Sequence, residues 1–178
     1  MLGSRSAPTF RRARPRHRIT TMADAPGPLR FASPEDAATL AALLREFNAE
    51  YNSPTPPAAV LEERYRSHLA GDAFWAVLTG TPPHAFATVS LRPSVYHPGP
   101  VALIEDLYVR PAQRGHGIGA QIMTAIQERA RADGCGALEV QVDEPDVDAM
   151  RFYERHGFAL REPLTQDRAL LMWLEYGT

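Results

Sequence analysis

The sequence predicts an α/β fold in one domain, with a mixed, mostly antiparallel central sheet of six to seven strands and about four helices on both faces. Three observations support this prediction. Apolar residues alternate in some segments and repeat at helical spacing in others, in the order β-α-α-β-β-β-α-β-α-β-β. Glycines and prolines separate the segments. A chain of 178 residues with 44% hydrophobic and 22% charged residues is also typical of one globular domain.

The first half of the predicted fold begins with a short strand and two helices. A strand is predicted at Leu29 to Ala32, and Ser33-Pro34 then supplies an N-cap and a proline at the first helical position. Helical spacing of apolar residues follows, and a second helix over Ala58 to Ala70 ends at Gly71. Two β-rich runs, at 74–79 and 85–91, are joined by a Gly-Thr-Pro-Pro turn and predict an antiparallel hairpin.

The second half contains a long strand, a glycine-rich turn that leads into a helix, a second helix and three shorter strands. These elements are predicted at Val101 to Val109, Gly117 to Ala132, Ala137 to Val142, Asp146 to Arg155, Phe158 to Arg161 and Ala169 to Leu174.

Charge is distributed unevenly along the chain. All 19 basic residues are Arg, and residues 1–21 contain six of them and no acid, which leaves 13 Arg against 21 acids and a formal charge of −8 in the rest. Clustered Arg could bind nucleic acid through phosphate contacts. The segment has no periodicity and no interleaved aromatic residues, so we interpret residues 1–27 as a disordered Arg-rich leader, with Met22 as an alternative start, before a single domain at 28–178.

Several classes of protein are excluded by composition. The single cysteine, Cys135, excludes an intramolecular disulfide and a multi-cysteine zinc site, and no His/Asp/Glu spacing predicts a metal site. The longest apolar stretch near the C-terminus is far shorter than the ~20 residues of a membrane helix. The Arg-rich start is followed by no apolar signal segment, so a cytoplasmic location is expected.

The most informative stretch runs from the long strand into a glycine-rich turn, Arg114-Gly115-His116-Gly117-Ile118-Gly119. Glycines let the main chain approach a bulky anion, and the first N–H groups of the following helix favour a pyrophosphate. A P-loop NTPase is excluded because the chain has no Lys, and the Gly-x-Gly-x-x-Gly spacing of a dinucleotide fold is absent. The turn alone therefore predicts either a phosphate site or a tight turn that needs positive φ.

A second motif, Ala149-Met150-Arg151-Phe152-Tyr153-Glu154-Arg155-His156-Gly157-Phe158, is a short helix closed by glycine and followed by a strand. Together, RGHGIG at 114–119 and AMRFYERHGF at 149–158 resemble the two signatures of the GNAT superfamily of N-acetyltransferases. The resemblance covers roughly residues 29–174 in element order. It implies acetyl-CoA as the acetyl donor and no metal.

The resemblance also implies a role for each part of the donor site. Acetyl-CoA enters between splayed fourth and fifth strands, its pantetheine arm pairs with the main chain, and backbone amides take its pyrophosphate. The implied donor-binding residues are Leu107, Tyr108, Val109, Arg114, Gly115, His116, Gly117, Ile118, Gly119, Ala120, Asp146 and Tyr153. Asp146 departs from the family pattern, because many members have Asn there.

Tyr153 is similar to the family tyrosine that protonates the departing thiolate. A phenol with a pKa of about 10 is protonated at neutral pH and can donate to a developing thiolate. Taken alone, Tyr153 is better interpreted as a half-buried packing residue between Phe152 and Phe158. Inside the double motif, the sequence favours the catalytic interpretation.

A general base is required because most amines are protonated at neutral pH, and the candidates are Glu105 and Asp106. Alternation places them on opposite faces of one strand, so both reach the acceptor only if a bulge intervenes. Similarity to the LEDFFV stretch of the spermidine/spermine acetyltransferase branch favours Glu105 as base, through a water, with Asp106 as an orienter or a contact to cationic substrate. Either residue could instead cap a loop or pair with an Arg.

The acceptor site is predicted less sharply. Phe47, Tyr51 and Tyr96 border segments that, by resemblance, wall the acceptor pocket, and they are equally plausible as core residues. Glu105 and Asp106 complete the predicted substrate-binding set. The net charge of −8 favours a cationic acceptor.

The sequence therefore predicts transfer of acetyl from acetyl-CoA to a primary amine of a small cationic molecule or peptide terminus, by direct attack in a ternary complex. The alternatives are a non-catalytic acyl-CoA-binding module and, less favoured, nucleic-acid binding through the basic leader. A homodimer is compatible with the sequence, and no membrane partner is expected.

Overall fold

The computed structural model describes residues 27–161, 165–168, 170–172 and 174. The predicted leader, residues 1–27, lies outside the described residues except for Gly27. Within the described part, the chain forms five strands and four α-helices. The strands are β1 (Leu29–Phe31), β2 (Phe74–Gly80), β3 (Pro83–Arg92), β4 (Val101–Val109) and β5 (Ala137–Val140). The helices are α1 (Ala37–Glu50), α2 (Ala58–Leu69), α3 (Ile118–Ala132) and α4 (Val147–Arg155).

The strands form one mixed sheet in the order β1-β2-β3-β4-β5. The first four strands pair antiparallel, and β5 pairs parallel to β4. A parallel pair requires a crossover connection, and α3 supplies it between β4 and β5. The predicted mixed, mostly antiparallel sheet is confirmed.

Helices cover both faces of the sheet, as predicted. On one face, the buried side chains of α3 pack on Val77, Ala87 and Ile104, and partly buried residues of α4 join the same core. On the other face, buried residues of α1 and α2 pack on Phe86 and Tyr108. Alternation along β3 separates the two cores, because its odd-numbered residues face α3 and its even-numbered residues face α1 and α2.

The prediction of six to seven strands is wrong for the part of the chain that the structure describes. The segment 158–161 forms no strand, and Arg161 makes only an isolated bridge with Arg168. In the segment 169–174, the described residues are not in a strand, and Met172 is 93% exposed. β-branched and aliphatic residues favour a strand only when a neighbouring strand accepts their hydrogen bonds, and the apolar pattern of these segments does not identify such a neighbour.

Candidate active site

A β-bulge in β4 lies at the centre of the candidate site. Thr88 of β3 is opposite Asp106, but the next residue, Val89, is opposite Ile104, so Glu105 is the extra residue on the bulged strand. The bulge turns the side chains of Glu105 and Asp106 to the same face of the sheet. Their partners on β3, Ser90 and Thr88, are two residues apart and share the face covered by α1 and α2.

The two carboxylates of the bulge lie in different environments. The Glu105 side chain is exposed, and it accepts a hydrogen bond from the Ser90 hydroxyl at 2.5 Å. Asp106 is partly buried and accepts a hydrogen bond from the fully buried Thr88 hydroxyl at 2.7 Å. Burial raises the pKa of Asp106, the Thr88 hydrogen bond opposes that rise, and the charge of Glu105 adds to it. Of the two carboxylates, only that of Glu105 is exposed to solvent.

The end of the β4–β5 ladder opens a gap next to this bulge. Parallel pairing begins at Val101 opposite Ala137 and stops at Ile104 opposite Val140. Strand β4 continues to Val109, whereas β5 ends at Val140, two residues before its predicted end. Among the described residues, no strand pairs with β4 on this side beyond Ile104. An extended chain can therefore add to the main chain of 107–109 by strand-type hydrogen bonds.

The glycine-rich turn presents main-chain amides at the same end of β4. Gly115 and Gly117 both have φ of +79°, and a Cβ added to either would meet nothing within 4 Å. Gly117 is the N-cap of α3, where no side chain caps the helix. The first N–H groups of α3, from Ile118 to Ala120, therefore receive no side-chain cap and lie at the positive end of the helix dipole. This arrangement fits a pyrophosphate.

Gly119 is a glycine for a different reason. A Cβ on Gly119 would lie 3.2 Å from Cε2 of Phe152, tighter than ordinary van der Waals contact. Glycine here lets α4 pack closely against the first turn of α3. The glycine loop and the helix that carries Tyr153 are therefore held together directly.

Arg114 is not a free cation beside this loop. Its guanidinium makes two hydrogen bonds, of 2.7 and 2.8 Å, with the carboxylate of Glu50 on α1, and its Nε donates to the carbonyl of Val109 at 2.9 Å. Arg110 makes the equivalent pair with Glu46. Sequence reasoning missed both glutamates, because each pair joins residues 64 positions apart with no local signal.

Tyr153 lies between two aromatic rings and near the carboxylates. Its ring packs edge-on against Phe152 at 5.2 Å and Phe158 at 5.4 Å between centroids. Burial raises the pKa of Tyr153 to about 12, and the charges of Asp146 and Asp106 add to the rise. The hydroxyl is thus a protonated donor within electrostatic range of the bulge. The ring packing agrees with the reading of Tyr153 as a packing residue, and its catalytic role stays a prediction.

Asp146 serves as the N-cap of α4. Its Oδ1 accepts a hydrogen bond from the Ala149 N–H at 3.0 Å. A carboxylate performs this capping function as well as the Asn found in many family members. The departure from the family pattern therefore preserves the helix start.

The predicted acceptor residues are only partly brought together. Phe47 contacts Tyr51 and Tyr108, each at 5.4 Å between ring centroids, so this aromatic group lies on the α1 face beside the end of β4. Tyr96 is 92% exposed in the connection between β3 and β4 and makes no ring contact with the others. The structure does not bring Tyr96 to this group.

A cavity of about 450 Å³ lies on the same face as Glu105. It is lined by Glu105 and Ser90 from the sheet and by the end of α2 with the loop that follows it. The helix and loop residues are Ser67, His68, Gly71, Asp72 and Ala73, and Phe74 at the start of β2 completes the lining. The lining includes two acids and no Arg, and the C-terminal end of a helix adds partial negative charge. Neither Asp72 nor His68 was predicted from the sequence as a site residue.

The described part of the chain shows neither a metal-binding cluster nor a membrane-spanning helix. Its His, Cys, Asp and Glu side chains form no group of three or more that could hold a metal ion. None of its helices is both long enough and apolar enough to cross a membrane.

Comparison with known proteins gives consistent matches. Residues 38–158 match the family model described as the acetyltransferase (GNAT) family. The chain is 33% identical to aminoglycoside N(6')-acetyltransferase type 1 of Serratia marcescens over 81 residues, which cover 44% of this chain and 56% of that protein. It is 31% identical over 135 residues to the protein of the same name from Stenotrophomonas maltophilia, and these residues cover 73% of this chain and 84% of that protein. The chain thus spans about half the length of the Serratia relative.

A solved structure extends the match over most of the fold. The crystal structure of a protein from Arthrobacter sp. FB24, assigned as an acetyltransferase, superposes with a TM-score of 0.78 at 42% sequence identity, and 84% of this chain and 96% of that chain are covered. The family model spans more than half of the chain, from α1 through α4. The chain belongs to the GNAT family of N-acetyltransferases, as its two motifs predicted.

Proposed function

We propose that this protein transfers the acetyl group of acetyl-CoA to a primary amine of a small cationic molecule, by direct attack in a ternary complex. Acetyl-CoA supplies the acetyl group as a thioester. The residues for this reaction would come from the glycine loop, the bulge in β4 and α4. The Serratia and Stenotrophomonas relatives are named as aminoglycoside acetyltransferases, which supports an amine acceptor.

The donor would be held mainly by main-chain groups. The amides of 114–120 would bind its pyrophosphate, and the free edge of Leu107 to Val109 would pair with its pantetheine arm. The open space beside Gly115 and Gly117 and the uncapped start of α3 support this assignment. Asp146 would act indirectly, because its carboxylate holds the first turn of α4 in place.

The proton transfers would be divided between Tyr153 and Glu105. Glu105 is exposed at the cavity and would accept the amine proton, directly or through a water. Tyr153, whose pKa is raised to about 12, would keep its proton until sulfur departs and then donate it. Asp106 would orient the site, and its negative charge would add to that of Glu105.

The cavity at Glu105 would take the acceptor. Its volume of about 450 Å³ is in the range of small-molecule sites. Asp72 and Glu105 would attract a cationic amine, and Phe74 would contact its apolar portion. Phe47 and Tyr51 would lie on the α1 side of the same region.

The observation that carries this proposal is the close packing of Gly119, in the first turn of α3, against Phe152 of α4, which joins the glycine loop to the helix that carries Tyr153. The test is acetyl-CoA turnover with a panel of mono- and polyamines, comparing the wild type with Tyr153→Phe. We expect a loss of about 10²-fold or more in kcat with little change in CoA affinity, since only the proton donor is removed.

The same experiment distinguishes the alternatives. CoA binding with no transfer to any amine, and with no effect of Tyr153→Phe, would favour a non-catalytic acyl-CoA-binding module. Comparison of the full chain with residues 22–178 tests the leader. Equal CoA binding and equal acetylation would leave the basic leader with no role in the reaction, which is the outcome we propose.

A further inference from the structure

Two glutamates on α1 hold the segment that leads into the glycine loop. Glu46 and Glu50 lie one helical turn apart. Glu46 accepts hydrogen bonds from Nε and Nη2 of Arg110, both at 2.7 Å, and Glu50 accepts from Nη1 and Nη2 of Arg114, at 2.7 and 2.8 Å. Each pair has the two-bond geometry that fixes a guanidinium in direction as well as distance.

Further contacts tie the same segment to the end of the sheet. The Arg110 N–H donates to the carbonyl of His84 at 3.0 Å, and Nε of Arg114 donates to the carbonyl of Val109 at 2.9 Å. The Arg114 guanidinium also lies over the Tyr108 ring, 5.8 Å from its centroid. Residues 109–114 are thus fixed at both ends. The glycines that follow have positive φ and no neighbour at the Cβ position.

These ion pairs are too exposed to be explained by stability alone. The four side chains are 28–43% exposed, and pairs of this kind contribute about 0–1 kcal/mol each to folding. Two like charges one turn apart on α1 also repel each other in the absence of the arginines. The arrangement is better suited to holding a loop in one geometry than to stabilising the fold.

The Glu50 pair also determines which groups can attract a phosphate. With its carboxylate against the guanidinium, the charge of Arg114 is balanced, and Nε, Nη1 and Nη2 all donate within the protein. The anion attraction of the loop then comes from main-chain amides. Such amides bind well only if their directions are set before the ligand arrives.

We propose that Glu50, assisted by Glu46, is a positioning residue for the phosphate-binding loop, acting through Arg114 and Arg110 to hold the loop amides in their binding geometry. This inference rests on the proposed function, because it takes the CoA diphosphate as the anion. It also links the donor loop to α1, the helix that carries Phe47 and is followed by Tyr51.

The test compares two acetyl donors with Glu50→Gln. CoA affinity is measured by calorimetry, and turnover is measured with acetyl-CoA and with S-acetylpantetheine, which lacks the diphosphate. We expect CoA to bind about fivefold to tenfold more weakly, the change that loss of one charge-assisted contact produces, while kcat/KM with S-acetylpantetheine stays at the wild-type value. The matched control is Glu62→Gln, which breaks the surface pair with Arg66 on α2.

Two further measurements decide the interpretation. Arg114→Gln, and the double variant that combines Glu50→Gln with Arg114→Gln, should weaken CoA binding no more than Glu50→Gln alone. The reason is that Glu50 and Arg114 act as one unit. Unchanged or tighter CoA binding in Glu50→Gln, with a loss only in Arg114→Gln, would overturn the proposal in favour of a direct Arg114–phosphate contact. A melting temperature that falls more than in Glu62→Gln, with equal losses for both donors, would also overturn it. If no variant or wild-type protein binds CoA, the proposed function itself fails.

Discussion

The side chains of Glu105 and Asp106 lie on the same face of the sheet although the two residues are adjacent in β4. The bulge at Glu105 produces this relationship, and Ser90 and Thr88 hold the two carboxylates from the neighbouring strand. The Glu105 carboxylate is exposed at a cavity, and the Asp106 carboxylate is partly buried. Two carboxylates in contrasting environments can divide proton transfer and charge placement between them.

The exposed carboxylate carries the first prediction. Glu105→Gln removes the group that we propose accepts the amine proton, while keeping the size of the side chain. We expect kcat to fall by about 10²- to 10³-fold at neutral pH, with CoA affinity unchanged, since a positioned base contributes on this scale.

Alkaline pH provides the internal control for this variant. There, the free amine is present without help from the protein, so the ratio of wild-type to variant rates should shrink as pH rises. A constant ratio across the pH range would contradict the assignment of Glu105 as base and leave it a structural or binding role. Ser90→Ala, which removes only its hydrogen-bond partner, should lose much less activity.

The partly buried carboxylate predicts a stability effect. Burial raises the pKa of Asp106 above its unfolded value, so the folded state binds this proton more tightly than the unfolded state does. The free energy of unfolding therefore falls as pH rises through the interval between the two values. Asp106→Asn removes the charge, and its amide oxygen can still accept the Thr88 hydrogen bond. We expect the melting temperature of this variant to be higher than that of the wild type at neutral pH.

Thermal denaturation from acid to neutral pH tests this effect. The gain should disappear below the unfolded pKa, where both proteins carry an uncharged side chain. If Asp106→Asn melts below the wild type at neutral pH, the ionised carboxylate is a net stabilising group. Asp106→Asn should also lose activity, because it removes the negative charge that adjoins Glu105.

These two residues illustrate how much of the site could be predicted from the sequence. The identities of the carboxylates, the glycine turn and Tyr153 all follow from local sequence, because each lies in a segment with strong turn, strand or helix signals. The bulge that puts Glu105 and Asp106 on one face depends on the register against β3, which alternation within β4 cannot reveal. The hydroxyls of Ser90 and Thr88 belong to that register as well.

The fold shows the same division between local and long-range information. The bounds of β4 were predicted correctly from its apolar run, and the predicted ends of α2, α3 and α4 lie within one residue of the observed ones, whereas α1 begins three residues after the proline that was predicted to start it. The segments at 158–161 and 169–174 have comparable apolar content, but they form no strand among the described residues because no neighbouring strand pairs with them. The pairs that fix Arg110 and Arg114 also join distant elements.

The cavity beside Glu105 predicts a preference among acceptors. Asp72 adds a second negative charge to a lining without Arg. We expect Asp72→Asn to raise KM for a diamine by about threefold to tenfold, as for loss of one partly solvated charge contact, with little effect on a monoamine of equal length. The comparison uses kcat and KM for the two amines at saturating acetyl-CoA.

A remote acid provides the control for this preference. Asp148→Asn changes a 97% exposed carboxylate on α4 and should leave both amines unaffected. Equal losses for monoamine and diamine in Asp72→Asn would show that Asp72 does not contact a second ammonium group. Loss in both aspartate variants would indicate a general effect of net charge on encounter.

The final prediction separates backbone strain from ligand obstruction at Gly117. Gly117 and Gly134 flank α3 at opposite ends, have φ of +79° and +72°, and have open space where a Cβ would be placed. Alanine at either position should therefore destabilise the fold by a similar amount, about 1–2 kcal/mol for the left-handed conformation, as measured by denaturation.

Only at Gly117 is the open space the proposed site of the diphosphate. Gly117→Ala should consequently weaken CoA binding by about tenfold or more, beyond what its stability loss explains, while Gly134→Ala binds CoA as the wild type does. Equal CoA affinity in the two variants would place the diphosphate elsewhere, because a Cβ in the binding space must displace a ligand that occupies it.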